Sequence, residues 1–267
     1  MLVSAAVCPH PPVLVPAMAG EAAPELDAVR AACGEAVRRL GAGYSDASLR
    51  PPRLRAPEVD ALVVVGGAPA TRAYGPSALA TLRPYGLDWT SPTGPAEAAA
   101  EPLPLSLSIG HWLLRREDAG DGARYEAVAF DAPPEDCLAL GRRLAESAER
   151  VALLVMGDAS ACRSEKAPGY LDERAASYDA SVASALAKAD AVALAALDAG
   201  VSRELQAAGR AAWQVLAGAA GAAPDRRAHG LQAREPLGAR GHMAGDLLAD
   251  EAPYGVGYLV ASWSRAV

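Results

Sequence analysis

Apolar and polar positions along the chain form two different patterns, which predict strands and helices in alternation. Leu2–Cys8, Asp60–Gly67 and Val151–Met156 are short, nearly continuous apolar runs, a pattern typical of strands buried on both faces. Pro24–Leu40 and a segment from about Glu135 to Arg150 carry apolar residues at helical spacing. This order predicts an α/β protein with a central, mostly parallel or mixed sheet flanked by helices on both faces.

The same pattern assigns the remaining segments. Residues 172–220 are predicted to be helical, with breaks near Asp190, Gly200 and Gly209. Segments 44–57 and 69–104, rich in proline, are predicted to be a connector and long loops, and segment 221–241, rich in Gly, Ala and Arg, a mobile loop. Further strands are predicted at Leu103–Ile109, where leucine and serine alternate, at Tyr125–Phe130, at Met243–Ala249 and at Gly255–Trp263.

Composition supports one domain over residues 1–267. The chain has 267 residues and is 51% hydrophobic, with a mean hydropathy of +0.08, so it can bury a large core. Only 5% of the residues are aromatic, and the core is therefore expected to consist of alanine, valine and leucine. We find no internal repeat and no change of composition that requires a second domain.

Charge and cysteine spacing exclude several functional classes. The net charge of −7 argues against binding to nucleic acid or to an anionic membrane, and the longest apolar runs are too short to span a bilayer. Residues 1–16 lack the basic start of a signal peptide. The four cysteines, at positions 8, 33, 137 and 162, have spacings unlike those of a disulfide framework or a zinc motif. We therefore expect a cytoplasmic protein.

Polar residues gather after three of the predicted strands, at Cys8–Pro12, Gly66–Arg72 and Gly157–Lys166. Functional groups in α/β sheets collect at the carboxyl ends of strands, where loops border a common crevice. If the three strands are neighbours, their loops form one pocket. The catalytic candidates are His10, Asp158 and Cys162, and the candidates for binding a small or anionic ligand are Ser160, Arg163, Glu165, Lys166, Arg72 and Tyr254.

Each candidate also has a structural interpretation. The His10 ring, between prolines, can end a strand with its nitrogen hydrogen-bonded to backbone. Asp158 and Ser160 can cap a turn, and the neighbours Glu165 and Lys166 can form a surface ion pair of about 0–1 kcal/mol. Tyr254 can pack against a strand rather than line a pocket.

Cys162 and His111 raise further alternatives. Cys162 lies near Arg163 and Lys166, and neighbouring cations lower the pKa of a thiol. His111 follows a predicted strand and can extend toward His10. Asp158, Glu165 and Cys162 can also complete a different metal site with His10, and ligands of the cysteine and histidine types favour zinc over Fe(II).

The order of these motifs resembles that of the LigB-type class III extradiol dioxygenases. The shared features are a first strand followed by Pro-His-Pro-Pro, a Val-Val-Val-Gly strand near residue 65, Leu-Leu-Val-Met-Gly-Asp-Ala-Ser at 153–160 and a closing Ala-Pro-Tyr-Gly-Val-Gly-Tyr. The resemblance spans nearly the whole chain and extends to the Memo group and to an alanine-rich actinobacterial branch of the superfamily. It implies one LigB-like α/β domain.

The resemblance also implies a non-haem metal site that this sequence does not complete. In the enzymes, two histidines and a glutamate hold Fe(II), and a further histidine acts as acid or base. His10 matches the first ligand. The second histidine is missing from 66–72, Ala161 and Cys162 stand where the acid/base histidine is expected, and Trp213 and Gln214 lie where the glutamate is expected.

Two functional hypotheses follow. In the first, the chain is a LigB-like protein with a retained polar pocket and an incomplete iron site, either a diverged oxidoreductase or an inactive relative, with Fe(II) or Zn as the candidate metal. In the second, it is a non-catalytic scaffold that binds a small ligand or a peptide in the same cleft. The surface of alanine- and leucine-rich helices is compatible with a homodimer.

Overall fold

The computed structural model describes residues 1–41, 59–92, 100–222 and 242–265. The predicted connector at 44–57 lies outside these residues, as does the predicted mobile loop at 221–241 apart from its first two residues. Among the described residues, no helix has both the length and the apolar composition needed to cross a bilayer.

A mixed sheet of seven strands organises the described part of the chain. Along the sheet the order is β3-β6-β2-β7-β1-β9-β8, in which β6, β2, β7 and β1 are parallel and β3, β9 and β8 are antiparallel to their neighbours. β4 and β5 form a separate pair. The strands are β1 (Leu2–Cys8), β2 (Ala61–Ala68), β3 (Arg72–Tyr74), β4 (Leu79–Thr81), β5 (Thr90–Pro92), β6 (Arg124–Ala129), β7 (Val151–Met156), β8 (Met243–Glu251) and β9 (Tyr258–Arg265).

Helices cover both faces of the sheet. The parallel strands β1, β2 and β6 lie progressively nearer one edge of the sheet, whereas β7 returns to the position between β2 and β1. Right-handed crossovers then place α2 and α3 on one face and α4 on the other, where α8 packs against α4. The helices are α1 (Pro16–Ala19), α2 (Asp27–Arg39), α3 (Leu105–Arg116), α4 (Pro134–Glu146), α5 (Arg174–Ala187), α6 (Ala191–Ala195), α7 (Ala199–Glu204) and α8 (Arg210–Ala219), with 3₁₀ turns at Pro12–Leu14, Gly20–Leu26 and Arg83–Tyr85.

The continuous apolar runs are explained by burial on both faces. Alternate residues of one strand belong to different core clusters: Val65 packs with α4 and α8, whereas Val64 packs with α2 and α3. A strand covered on both sides carries apolar residues at nearly every position, which is why its sequence does not alternate. The predictions of an α/β fold and of a mixed sheet flanked by helices are confirmed.

The prediction of a strand at Leu103–Ile109 is wrong, because residues from Leu105 belong to helix α3. Both serines of this segment are buried rather than exposed. The Ser106 hydroxyl donates to the Gly67 carbonyl at 2.7 Å, and the Ser108 hydroxyl donates to the Leu103 carbonyl at 3.1 Å. Internal hydrogen bonds allow serine into a buried helix, so the alternation does not mark a solvent-facing side.

Other boundaries differ more locally. The predicted helix from Pro24 begins as a 3₁₀ turn, and regular α-helix starts at Asp27. The predicted breaks near Asp190 and Gly209 are confirmed, since these residues precede α6 and α8. The predicted break near Gly200 is confirmed as well, since α6 ends at Ala195 and α7 begins at Ala199, with Asp198 as its cap.

Candidate functional site

The carboxyl ends of β1, β2 and β7 lie side by side. β1 and β7 pair in parallel up to Cys8 and Met156, and β2 pairs with the other side of β7. The Gly157 N–H extends this pairing by donating to the Cys8 carbonyl at 2.9 Å. The loops that follow β1 and β7 therefore begin next to each other.

This arrangement brings His10 against Asp158. The His10 backbone N–H donates to Asp158 Oδ1 at 2.7 Å, and the imidazole Nδ1 lies 3.8 Å from the same oxygen. The backbone hydrogen bond fixes the carboxylate beside the ring, but 3.8 Å is too long for a hydrogen bond between Nδ1 and the carboxylate. Asp158 thus contacts a residue that is remote in the sequence, and it is not only a local turn cap.

The imidazole of His10 is buried, and one of its two nitrogens, Nδ1, is unpartnered. His10 is 5% exposed, and its Nδ1 has no hydrogen-bond partner among the described residues. The structural interpretation, in which the ring bonds to backbone, is therefore not what the described residues adopt. Most buried polar side-chain atoms in folded proteins have a partner, so an unpaired Nδ1 beside a carboxylate marks this position as a candidate binding site.

Ser160 and Arg163 belong to a second polar cluster, centred on Asp179. Asp179 Oδ1 accepts a hydrogen bond from the Ser160 N–H at 2.8 Å, and Oδ2 accepts from the Ser160 hydroxyl at 2.8 Å and from Arg163 Nη1 at 3.0 Å. Burial raises the pKa of Asp179, although the bonds from Ser160 and Arg163 oppose that effect. Arg163 is thus engaged by a buried carboxylate.

Sequence reasoning missed Asp179. It occupies the apolar stripe of α5, between the buried residues Ala175 and Val182, and is 1% exposed. A carboxylate at a core position of an amphipathic helix requires buried donors. That mismatch was the only available signal, and it does not identify the donors, which lie on a different segment.

The thiol of Cys162 is buried. Cys162 is 1% exposed, and its Sγ contacts the carbonyls of Gly169 at 3.6 Å and Leu205 at 3.5 Å. Burial raises the pKa of the thiol, and the nearby carboxylates Asp172 and Asp179 raise it further. The expected lowering of this pKa is wrong, because desolvation disfavours the thiolate.

The remaining binding candidates are more peripheral. Glu165 and Lys166 are exposed, and neither forms an ion pair within the described part of the chain. Arg72 pairs with Glu101 at 2.6 Å and lies over the Tyr74 ring. Tyr254 is half-buried, and its hydroxyl donates to the Ala22 carbonyl at 3.5 Å.

His111 is committed to a different cluster. Its Nδ1 lies 2.6 Å from the Tyr125 hydroxyl and its Nε2 lies 2.9 Å from the Ser91 hydroxyl. Both ring nitrogens therefore have partners on β5 and β6. The expectation that His111 extends toward His10 is not met in this structure.

The positions at which the resemblance implies further metal ligands carry no suitable donors. At the carboxyl end of β2, Gly66 packs against Ser106 and Gly67 packs against the Phe130 ring. The Gln214 amide is satisfied by Arg210 and by the Ala195 and Leu197 carbonyls. Within the described ranges, no three His, Cys, Asp or Glu side chains are arranged to hold a metal ion. The described residues fit neither a facial iron triad nor a zinc site.

Burial of His111 makes stability depend on pH. Desolvation, with a smaller contribution from Arg115, lowers the pKa of His111 from 6.5 to about 4. Between these values the unfolded chain takes up a proton that the folded chain does not, so stability falls as the pH drops from about 6.5 toward 4. Each pKa unit corresponds to about 1.4 kcal/mol, and we expect His111 to account for a loss of up to about 3 kcal/mol.

Urea denaturation of the wild type and of His111→Gln at pH 7 and pH 4 measures this loss. The variant lacks the titrating group, so the difference in its free energy of unfolding between the two pH values is expected to be smaller. Equal pH dependence of the two proteins would contradict the assignment.

The fold and the site together define an α/β protein with a mixed sheet and a histidine–aspartate pair at the carboxyl edge of its parallel strands. No family model matches the chain, and no curated protein matches it. The crystal structure of uncharacterized protein JW3007 from Escherichia coli K12 superimposes with a TM-score of 0.55 at 13% identity, over 98% of this chain and 99% of that chain. This similarity extends over the whole architecture and concerns the fold alone.

Proposed function

We propose that this chain is a LigB-like protein that no longer holds catalytic iron and that binds a small polar molecule at His10 and Asp158. The observation that carries the proposal is the buried, unpartnered Nδ1 of His10 beside the Asp158 carboxylate. A buried polar atom without a partner costs about 1–3 kcal/mol, and a ligand that hydrogen-bonds to Nδ1 removes that cost. The motif order of the sequence supports the LigB relationship.

The donor set supports the loss of ring-cleaving chemistry. Fe(II) binds weakly to a site with few protein ligands, and affinity depends on ligand number and geometry. His10 has Asp158 as its neighbour, and the described residues offer no third side-chain donor. No step of the proposed function passes through a metal at this site.

A diverged enzyme is the second candidate, and the contact between His10 and Asp158 favours it. An imidazole beside a carboxylate is an arrangement that can transfer protons. Here the ligand would be a substrate that exchanges a proton with His10. Turnover of the bound molecule, absent in His10→Gln, distinguishes this candidate from a binding protein.

The cellular location we propose is the cytoplasm. All four cysteines are free and buried, which agrees with a reducing compartment. We also propose that the chain forms a homodimer, which light scattering tests.

Metal analysis and ligand screening test the proposal. After anaerobic reconstitution with Fe(II), we expect much less than one iron per chain and no yellow ring-fission product from catechols. In a thermal-shift screen of small polar molecules, we expect ligands that stabilise the wild type but not His10→Gln or Asp158→Asn, whereas Lys166→Ala, at an exposed position, responds as the wild type does. Stoichiometric iron with ring-fission product would overturn the proposal, as would ligand responses that are equal in all four proteins.

A further inference from the structure

We propose that Asp179 is a positioning residue, which holds the segment 158–163 so that the Asp158 carboxylate faces the imidazole of His10. The inference rests on the proposed function, because it assigns a role to Asp179 only through the pair formed by His10 and Asp158. Asp179 itself is bonded to Ser160 and Arg163 rather than to the imidazole.

Both oxygens of Asp179 are directed at one segment. Oδ1 accepts from the backbone N–H of Ser160, and Oδ2 accepts from the Ser160 hydroxyl and from Arg163. A carboxylate that bonds to both the backbone and the side chain of one residue fixes the position and the rotation of that residue. Ser160 is two residues from Asp158, so fixing it restricts where the Asp158 backbone, and with it the carboxylate, can lie.

Backbone hydrogen bonds complete the attachment of the segment. The Ala159 N–H donates to the Gly257 carbonyl at 2.8 Å, and the Gly257 N–H donates to the Ser160 carbonyl at 2.8 Å. The Asp158 carbonyl accepts from the Gly209 N–H at 2.8 Å. These bonds fix the main chain around residues 158–160, and among the described residues Asp179 is the side chain that bonds to Ser160.

The glycine at position 257 shows how closely Asp179 is packed into this arrangement. A Cβ at Gly257 would lie 2.6 Å from Asp179 Oδ2 and 2.8 Å from the Ala159 Cβ. The absence of a side chain at Gly257 lets the loop 252–257 between β8 and β9, the segment 158–163 and α5 approach one another. The carboxylate of Asp179 lies at the point where these three parts meet.

The same contacts restrict the role of Arg163. Its guanidinium lies 3.0 Å from Asp179 Oδ2, and the Asp179 side chain is 1% exposed. Removing Arg163 from this buried carboxylate would leave an unpaired charge, which is strongly unfavourable. Arg163 therefore supports the position of the segment and is a poor candidate for contact with an anionic ligand.

Nuclear magnetic resonance of the histidine rings tests the inference. The chain has four histidines, and His10→Gln identifies the His10 ring signals in long-range ¹H–¹⁵N spectra. We expect Asp158→Asn to move the His10 ring signals from their wild-type positions, and Asp179→Asn to move them in the same direction. The His111 signals are expected to stay unchanged in both variants, since His111 belongs to a separate cluster.

Asp172→Asn is the matched control. Asp172 also accepts hydrogen bonds from an arginine, Arg174, but it does not contact Ser160. Its substitution is expected to leave the His10 signals as in the wild type. If Asp179→Asn does not fold, Ser160→Ala removes one of the donors to Asp179 and is expected to move the His10 ring signals in the same direction by a smaller amount.

The outcomes separate the two proposals. If Asp158→Asn leaves the His10 signals unchanged, the functional pair itself is wrong. If Asp158→Asn moves them but the folded Asp179→Asn or Ser160→Ala does not, only the positioning role is wrong. A shift of all histidine signals together would show a general structural effect and would also overturn the inference.

Discussion

Gly218→Ala is expected to lower the free energy of unfolding by about 2 kcal/mol. At this point α8 crosses α4, and a Cβ at position 218 would lie 2.2 Å from the Leu138 carbonyl oxygen and 2.7 Å from the Leu138 Cα. Backbone atoms cannot turn aside as a flexible side chain can, so the helices must separate. Overpacking costs about 1–3 kcal/mol and occasionally more, whereas the higher helix propensity of alanine returns only about 1 kcal/mol.

Urea denaturation measures the effect, with Gly75→Ala as the control. A Cβ at Gly75 would meet no atom within 4 Å, so this substitution is expected to change stability by less than about 0.5 kcal/mol. The partner position, Gly141, is equally restricted, because its Cβ would lie 2.0 Å from the Val215 carbonyl oxygen. A Gly218→Ala protein as stable as the wild type would show that the two helices do not cross so closely.

Asp179→Ala is expected to destabilise the fold by about 3 kcal/mol. The substitution leaves the Ser160 N–H and hydroxyl without their acceptor in a buried site, and it removes the carboxylate that balances Arg163. Hydrogen bonds to charged groups contribute about 1.5–3 kcal/mol each. The loss is limited because the Arg163 side chain is 30% exposed and can be partly solvated.

The comparison with Asp246→Ala distinguishes the stability lost with a buried carboxylate from the stability lost with an exposed ion pair. Asp246 pairs with Arg39 at 2.6 Å, but its side chain is 59% exposed, and exposed pairs contribute about 0–1 kcal/mol. Chemical denaturation of both variants measures the difference. Similar losses in the two proteins would contradict the buried role of Asp179.

The central strands β1, β2 and β7 could be predicted from sequence, because burial on both faces selects apolar residues at nearly every position. Leu2–Cys8 and Val151–Met156 have the same bounds in the sequence pattern and in the structure. Helix α3 could not be predicted in this way. Its buried serines bond to carbonyls within the protein, and a pattern of polar positions does not reveal whether a hydroxyl meets water or a carbonyl.

The candidate site was predictable only in part. Parallel strands end at the same edge of a sheet, so the sequence could place His10 near Asp158. The role of Asp179 could not be inferred, since its partner Ser160 is 19 residues away and on a different element. The buried state of Cys162 was missed for a similar reason: the Gly169 and Leu205 carbonyls that surround its thiol come from segments that only folding brings together.

The sequence by itself therefore determined the layered α/β architecture, because the burial of each strand and helix requires its own pattern of apolar residues. It also determined that a histidine follows the first strand and that no histidine follows the strand near residue 65. The tertiary structure decided which polar groups meet: Asp158 with His10, Asp179 with Ser160 and Arg163, and His111 with Tyr125 and Ser91. Hydrogen bonds and charge pairs depend on distances of a few ångströms between remote segments, and no local pattern encodes those distances.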